Sequence, residues 1–412
     1  MRVAFSTICT VSVAVAECLI CASFVLGDHK PNHNPGGGGP GGGGGEPPAG
    51  EVYFYHDNAV WTVKPDGTQL TQLPLTGIGF GNQPSYYLHA NKRWFTSSVA
   101  GSAPNFPNGR WPTEIWAASE TGSRVRLLAE QDIEVLAPPV WLPDDRSMSF
   151  IGERWTLDGN GQPTTVAEAG LFAFDIDYDA AGNIMGSVPG SLTFAKDLSS
   201  ELQIGENGFN SDSEVAGHSW SPTTQAFTFG VRHWDRELDW DQEEVWVMDL
   251  DQPDDSYLLS TDNGAGWPEW SPDGTKIGYV MSNGTVIYDL ERDRSRLLGR
   301  TPSTAWGISH WSPDGSEFVI SHWDNWKPGY DAIYRLTEKL GGKTLLVDDD
   351  SLCEPTNFCT LITLGWRDVP AMTAGLASVP EPATATVLLV GLATFLGLSR
   401  RRGLYGCLDK PT

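Results

Sequence analysis

Four segments of this 412-residue chain set tryptophans beside charged side chains: Trp111, Trp155, Trp234 with Trp240, and Trp323 with Trp326, among Arg154, His233, Asp235, Asp239, Asp241, His322 and Asp324. Broad indole planes next to carboxylates suit sugar rings, whose C–H faces stack on the aromatic while their hydroxyls hydrogen-bond. These six tryptophans are therefore the candidate ligand-binding residues. A structural role competes with this one: the chain holds 17 tryptophans, and indoles also cap the apolar gaps between packed sheets.

His218 and His310 lie just before Trp220 and Trp311, and Glu269 just before Trp270. On strands lining a central channel, these three groups are placed to hold a ligand or to move a proton; the plainer reading is hydrogen-bonded lining. Asp175, Asp177 and Asp179 resemble the start of a calcium loop, but Gly182 falls two places late and Gly186 stands where the bidentate glutamate is needed. Strand alternation entering a turn at Ala180–Asn183 explains them better. No Gly-x-Ser-x-Gly elbow, His-Glu-x-x-His pair or phosphate loop occurs. No catalytic residue, metal or cofactor is therefore assigned.

Repeats must position these residues. Trp270-Ser271-Pro272-Asp273-Gly274 and Trp311-Ser312-Pro313-Asp314-Gly315 are identical, Trp220-Ser221-Pro222 is a partial copy, and Trp141-Leu142-Pro143-Asp144-Asp145 a diverged one. Proline presets φ and glycine accepts a positive φ, so each motif predicts a tight turn after a strand ending in tryptophan. Short β-rich runs follow, as at Lys276–Met281, Thr285–Asp289 and Arg294–Leu298, which predicts one four-stranded antiparallel sheet per repeat. Tyr86, Trp141, Trp220, Trp270, Trp311 and Trp366 anchor six first strands. The last has no chain left to complete a sheet, whereas Val52–Tyr55, Val60–Lys64 and Gln69–Leu73 form three strands without a first. The expected fold is all-β: a six-bladed β-propeller over residues 51–369, with a velcro closure between N- and C-terminal strands. The candidate loop tryptophans would then share one face of the disc.

The ends fix the compartment. Arg2 precedes an apolar run from Ile8 to Leu26, read as a signal peptide over 1–27. Cleavage sites are available at Val25-Leu26-Gly27 or Ala14-Val15-Ala16, and Cys18 and Cys21 lack the small preceding residue of a lipoprotein signal. A Gly/Pro-rich linker occupies 28–50, where His29 and His33 are read as solvated. Cys353 and Cys359 are expected to form a disulfide after export, worth about 2–3 kcal/mol on the chain-entropy model. A net charge of −25 excludes a nucleic-acid partner, since phosphate backbones are bound by clustered Lys and Arg.

After a spacer at 370–378, Pro380-Glu381-Pro382 leads into an apolar run from Ala383 to Leu398 and then Arg400-Arg401-Arg402. A helix over that run covers about 24 Å, short of the roughly 30 Å hydrocarbon core, with the arginines staying cytoplasmic. The order of elements over 379–402 resembles the PEP-CTERM sorting signal, although the chain continues through a cytoplasmic tail at 403–412. The resemblance implies signal peptidase and exosortase as partners, transient inner-membrane anchoring through the helix, and delivery to the cell surface or matrix. The Trp-Ser-Pro-Asp-Gly repeats with end-to-end closure resemble the propeller of the TolB family, whose fold hosts binding proteins and enzymes alike. The leading expectation is a surface-sorted binding propeller for an extracellular polysaccharide or envelope protein. The alternatives are a channel-mouth lyase or hydrolase acting on a polysaccharide and a periplasmic TolB-like scaffold, the last at odds with a sorting tail.

Overall fold

Gly266–Trp270 alternates buried and half-buried positions along its length, whereas the next strand of the same repeat, Lys276–Met281, is buried on both faces through its middle, as expected of a sheet packed between neighbours. The computed structural model describes residues 49–367 apart from 57–58, 77–84, 90–91, 101–105, 108–112, 206, 211–212, 236–239, 252–255, 261–264, 282–283, 301–308, 323–331, 338–342, 349–351 and 353–360. The expected signal peptide, most of the linker, the Cys353–Cys359 disulfide, the spacer and the sorting tail lie outside the described residues. Among the described residues no helix is long and apolar enough to cross a membrane.

Six antiparallel sheets form the blades. The first contains β1 (Glu51–His56), β2 (Ala59–Val63) and β3 (Thr71–Thr76); the second β4 (Ser85–His89), β5 (Lys92–Ala100), β6 (Thr113–Ser119) and β7 (Arg124–Leu128). The third comprises β8 (Ile133–Val135), β9 (Val140–Trp141), β10 (Ser147–Leu157), β11 (Pro163–Tyr178), β12 (Ile184–Ser187) and β13 (Thr193–Asp197). The fourth holds β14 (Glu214–Trp220), β15 (Ala226–Asp235), β16 (Trp240–Asp249) and β17 (Tyr257–Ser260); the fifth β18 (Gly266–Trp270), β19 (Lys276–Met281), β20 (Gly284–Asp289) and β21 (Arg294–Arg300). The sixth has β22 (Ser309–Trp311), β23 (Glu317–His322), β24 (Ala332–Thr337) and β25 (Lys343–Asp348), and β26 (Ile362–Arg367) ends the described chain.

β26 pairs antiparallel with β1, setting Trp366 opposite Val52 and completing the first blade. The velcro closure is therefore present. First strands meet one another in turn, β14 with β18, β18 with β22, β22 with β26 and β26 with β4, so they form the inner ring. An apolar cluster fills each seam between blades; Val52, Phe54 and Trp366 of blade 1, for instance, pack on Val319, Ile333 and Leu346 of blade 6. Burial between blades is what makes a single four-stranded sheet insufficient and a closed ring stable.

Blade 3 departs from the expected four strands. Its inner strand is split, β9 pairing with Met148 and Ser149 and β8 with Gly152–Arg154. Pro138 and Pro139 lie in the gap and have no N–H to donate, while Leu136 and Ala137 both donate to the Ile151 carbonyl at 2.8 and 3.1 Å. On the other side β11 runs 16 residues and carries both β12 and β13 on its outer edge. Gly170 sits there at φ +153°, where a Cβ would come within 2.1 Å of the Lys196 carbonyl oxygen.

The repeated turns have a fuller chemistry than proline and glycine alone. Ser271 Oγ donates to Asp273 at 2.6 Å and accepts the Lys276 N–H at 2.9 Å; Ser312 does the same with Asp314 and Glu317 at 2.7 and 2.9 Å. Gly274 and Gly315 close these turns at φ +73° and +69°. Burial pushes the Asp273 and Asp314 carboxyls up, but hydrogen bonds from Ser271 and Thr275, and from Ser312 and Ser316, outweigh it and hold both below the ordinary aspartate value. A depressed carboxyl contributes stability that is complete above the unfolded pKa, about 3.9, and is lost as pH falls through the lower folded value. Replacing Ser271 and Ser312 by alanine should cost on the order of 1 kcal/mol per turn at neutral pH and flatten the acid loss below about pH 5. Urea titrations at several pH values that give parent and variant the same acid slope would refute this.

Candidate functional site

The inner ring is stitched by polar groups reaching from blade to blade. Trp220 Nε1 donates to Ser149 Oγ of blade 3 at 2.7 Å, and the same hydroxyl lies 3.0 Å from His218 Nε2. Trp270 N donates to Ser219 Oγ at 3.1 Å, linking blades 4 and 5. Glu269 accepts from Trp311 twice, its Oε2 from the backbone N–H and its carbonyl from the indole, both at 3.1 Å. His310 then joins three blades: Nδ1 faces Glu269 Oε2 at 3.3 Å and Nε2 faces the Thr363 carbonyl at 3.2 Å.

These contacts place the three sequence-predicted channel residues. His218 is 5% exposed, and burial, only partly opposed by its bond to Ser149, pushes its imidazole down to about 3. It is a neutral ring bonded across the seam between blades 3 and 4. Glu269 and His310 form a couple, each with side chains under one-fifth exposed, tied to the inner strands on both sides. Among the described residues no three His, Cys, Asp or Glu side chains converge as a metal site requires. Asp179 accepts the Ala181 and Asn183 N–H groups at 2.8 Å each, a turn-forming role in keeping with the rejected calcium reading.

The tryptophans divide. Trp155 is a correction: it lies within β10 and not on a loop, is 2% exposed, and stacks on Phe106 with ring centroids 5.1 Å apart and planes 8° from parallel. Beside it Glu153 accepts the Phe209 N–H at 2.6 Å, and Gly208, at φ +84°, closes over both; a Cβ there would lie 2.7 Å from the indole. Trp155 is therefore a core cap, and its strand outruns the length the repeat suggested. Trp234 and Trp240 also belong to strands, where β15 and β16 pair Trp234 with Asp241 and Asp235 with Trp240. Trp111, Trp323 and Trp326 lie outside the described residues.

Of the nearby charges, Arg154 pairs with Glu168 at 2.6 Å and approaches Asp132 at 3.8 Å. His233 is mostly buried, which pushes its pKa down, and its Nε2 faces the Glu201 carbonyl at 3.2 Å. Sequence reading missed Ser149 and Thr363, the partners of the two histidines. It also missed a carboxylate–indole pair on β6, Glu114 and Trp116, whose i, i+2 spacing on a strand places both on one face.

Residues 378–402 match the PEP-CTERM protein-sorting motif. No curated protein sequence matches the chain. Among solved structures, TolB from Acinetobacter baumannii aligns at 16% identity and TM-score 0.42, over 71% of this chain and 65% of that one. The chain thus spans about two-thirds of that protein's length. A TolB-designated protein from Agrobacterium tumefaciens aligns at 12% identity and TM-score 0.40, over 77% of this chain and 98% of its own. A chain of a nidogen/laminin complex aligns at 10% identity and TM-score 0.45, over 77% and 97%.

Proposed function

Starting from an exported, six-bladed propeller that carries an exosortase sorting signal, we propose that the protein is a binding propeller which engages an extracellular polysaccharide at the cell surface. The observation that carries this reading is the employment of His218, Glu269 and His310 as bonds between blades. Groups committed in this way fix the ring's shape, and a rigid ring suits recognition by preformed surfaces. The polar centre thereby supports a binding role over a channel-mouth lyase or hydrolase.

The β15–β16 hairpin is the place for the ligand. Its strands pair over ten residues each, against six in β19 and β20, and its far end sets tryptophan opposite aspartate in two successive pairs. Successive pairs alternate faces of the ribbon, so a ligand on either face meets one of the two tryptophans. A stacked indole contributes on the order of 1 kcal/mol, and Trp234→Ala with Trp240→Ala should weaken binding by about fivefold. A glycan array probed with the exported protein identifies the ligand, and titration of the double variant against it follows. Equal affinity in parent and variant removes the hairpin from the site, and an array with no retained polysaccharide removes the glycan reading.

A further inference from the structure

Blade 2 carries a cavity of about 230 Å³ whose lining includes Ser97, Val99, Glu114, Trp116, Ala118 and Arg124. Its position follows from register. Ser97 lies opposite Trp116 and Val99 opposite Glu114, two and four residues along from the Phe95–Ala118 pair, so all six share one face of the sheet. Phe95 and Ala118 pack with Leu73 and Leu75 of β3. The cavity therefore continues the seam between blades 1 and 2 beyond the point where apolar side chains fill it.

The lining is built and not accidental. Trp116 Nε1 donates to Glu114 Oε2 at 2.9 Å, Arg126 approaches Glu114 Oε1 at 3.4 Å, and the Arg126 guanidinium lies 5.9 Å from the Trp116 ring centroid. The indole is thus fixed by its own carboxylate, whose charge the arginine balances. Each carboxylate oxygen has two lone pairs, so two acceptor positions remain after these bonds. Blade 4 repeats the device, with Trp246 Nε1 donating to Glu244 Oε2 at 2.9 Å, but there the indole packs against the filled core between blades 3 and 4. One arrangement is covered by core; its counterpart on blade 2 faces a space of about 230 Å³, room for several waters.

We infer that this cavity is a subsite for one neutral pyranose unit, stacked on Trp116 and hydrogen-bonded by Glu114 and the Ser97 hydroxyl. This rests on the polysaccharide-binding reading and adds a second, independent contact point to it. A fixed aromatic plane next to a charge-balanced acceptor matches a sugar's apolar face and its hydroxyl rim. The acceptor oxygens of Glu114 suit hydroxyl donors and repel a second carboxylate, in a chain of net charge −25; even with Arg124 also in the lining, this favours a neutral unit over a uronate.

The test uses the full chain and two groups of probes, neutral cellohexaose and laminarihexaose, and acidic oligogalacturonate. Trp116→Ala removes the platform, and Val99→Phe fills the cavity without creating a void. Both should weaken binding of a neutral probe by about tenfold or more, with Val99→Phe keeping the parent's melting temperature. If Trp116→Ala fails to fold, Val99→Phe decides alone. A parent that binds a neutral probe while Val99→Phe binds it equally well overturns the subsite and leaves the polysaccharide reading standing. Losses confined to oligogalacturonate overturn the neutral assignment, and a parent that binds none of the probes overturns the subsite, while the glycan array decides the polysaccharide reading.

Discussion

Replacing Trp366 by alanine is expected to cost about 3–5 kcal/mol of unfolding free energy, the range for truncating a fully buried aromatic. Trp366 is 0% exposed and stands in β26 opposite Val52. Its cluster spans Val52, Phe54 and Val63 of blade 1 and Val319, Ile333 and Leu346 of blade 6. One side chain therefore holds together the sheet built from both ends of the chain and the seam that closes the ring. Its indole also donates to the Ala49 carbonyl at 3.3 Å, pinning the segment before β1. Loss of β26 would leave an unpaired edge on β1 as well as a void. Denaturant titration gives the cost directly; a loss below about 1 kcal/mol, the usual effect of a surface change, would mean that the C-terminal strand is an ornament on a ring closed elsewhere.

The second large effect concerns delivery. Changing Pro380, Glu381 and Pro382 together to alanine should abolish processing, so that the released surface form falls to background and the full-length chain accumulates in the inner membrane. The reason is order: the motif at 378–402 places these residues directly before the apolar run and its arginines, where an exosortase would meet the chain on the exported side. If helical, the sixteen apolar residues from Ala383 to Leu398 would cover about 24 Å, a marginal span that suits a temporary anchor. Immunoblots of membrane and surface fractions distinguish the forms. A surface fraction still containing chains with the intact tail would identify a plain anchor.

Some of this fold was legible because its signals are local. The turn at Trp270–Gly274 is written in residues whose roles are complete within six positions, since Ser271, Asp273 and Lys276 bond one another. The closure was legible by counting, because three strands without a first at one end require one strand without successors at the other. The split inner strand of blade 3 was not. Pro138 and Pro139 interrupt a ladder whose partner, β10, lies on the far side of a turn. Trp155 misled for a related reason: tryptophan suits both a strand and an exposed binding loop, and nothing nearby in sequence reveals that Phe106 covers it.

The candidate site was less legible still. Alternation tells which face of a strand a residue occupies, not which blade it will meet. His218 and Ser149 lie 69 residues apart, and His310 and Thr363 53, so position before an anchor tryptophan could point to hydrogen-bonded lining but not to the neighbouring blade that supplies the partner. Glu114 and Trp116 were the reverse case. Their spacing was readable, but only the cavity beside them distinguishes them from Glu244 and Trp246.

A surface-sorted ring of this kind is expected to bind polysaccharide. Titration calorimetry of the processed protein against polysaccharide extracted from the matrix of the cells that export it tests this most directly. The account predicts saturable heat that is competed by short neutral fragments and leaves the polysaccharide's chain length unchanged. Absence of saturable binding by a folded protein would contradict it, and so would shortening of the polysaccharide during the titration, which would make the ring an enzyme.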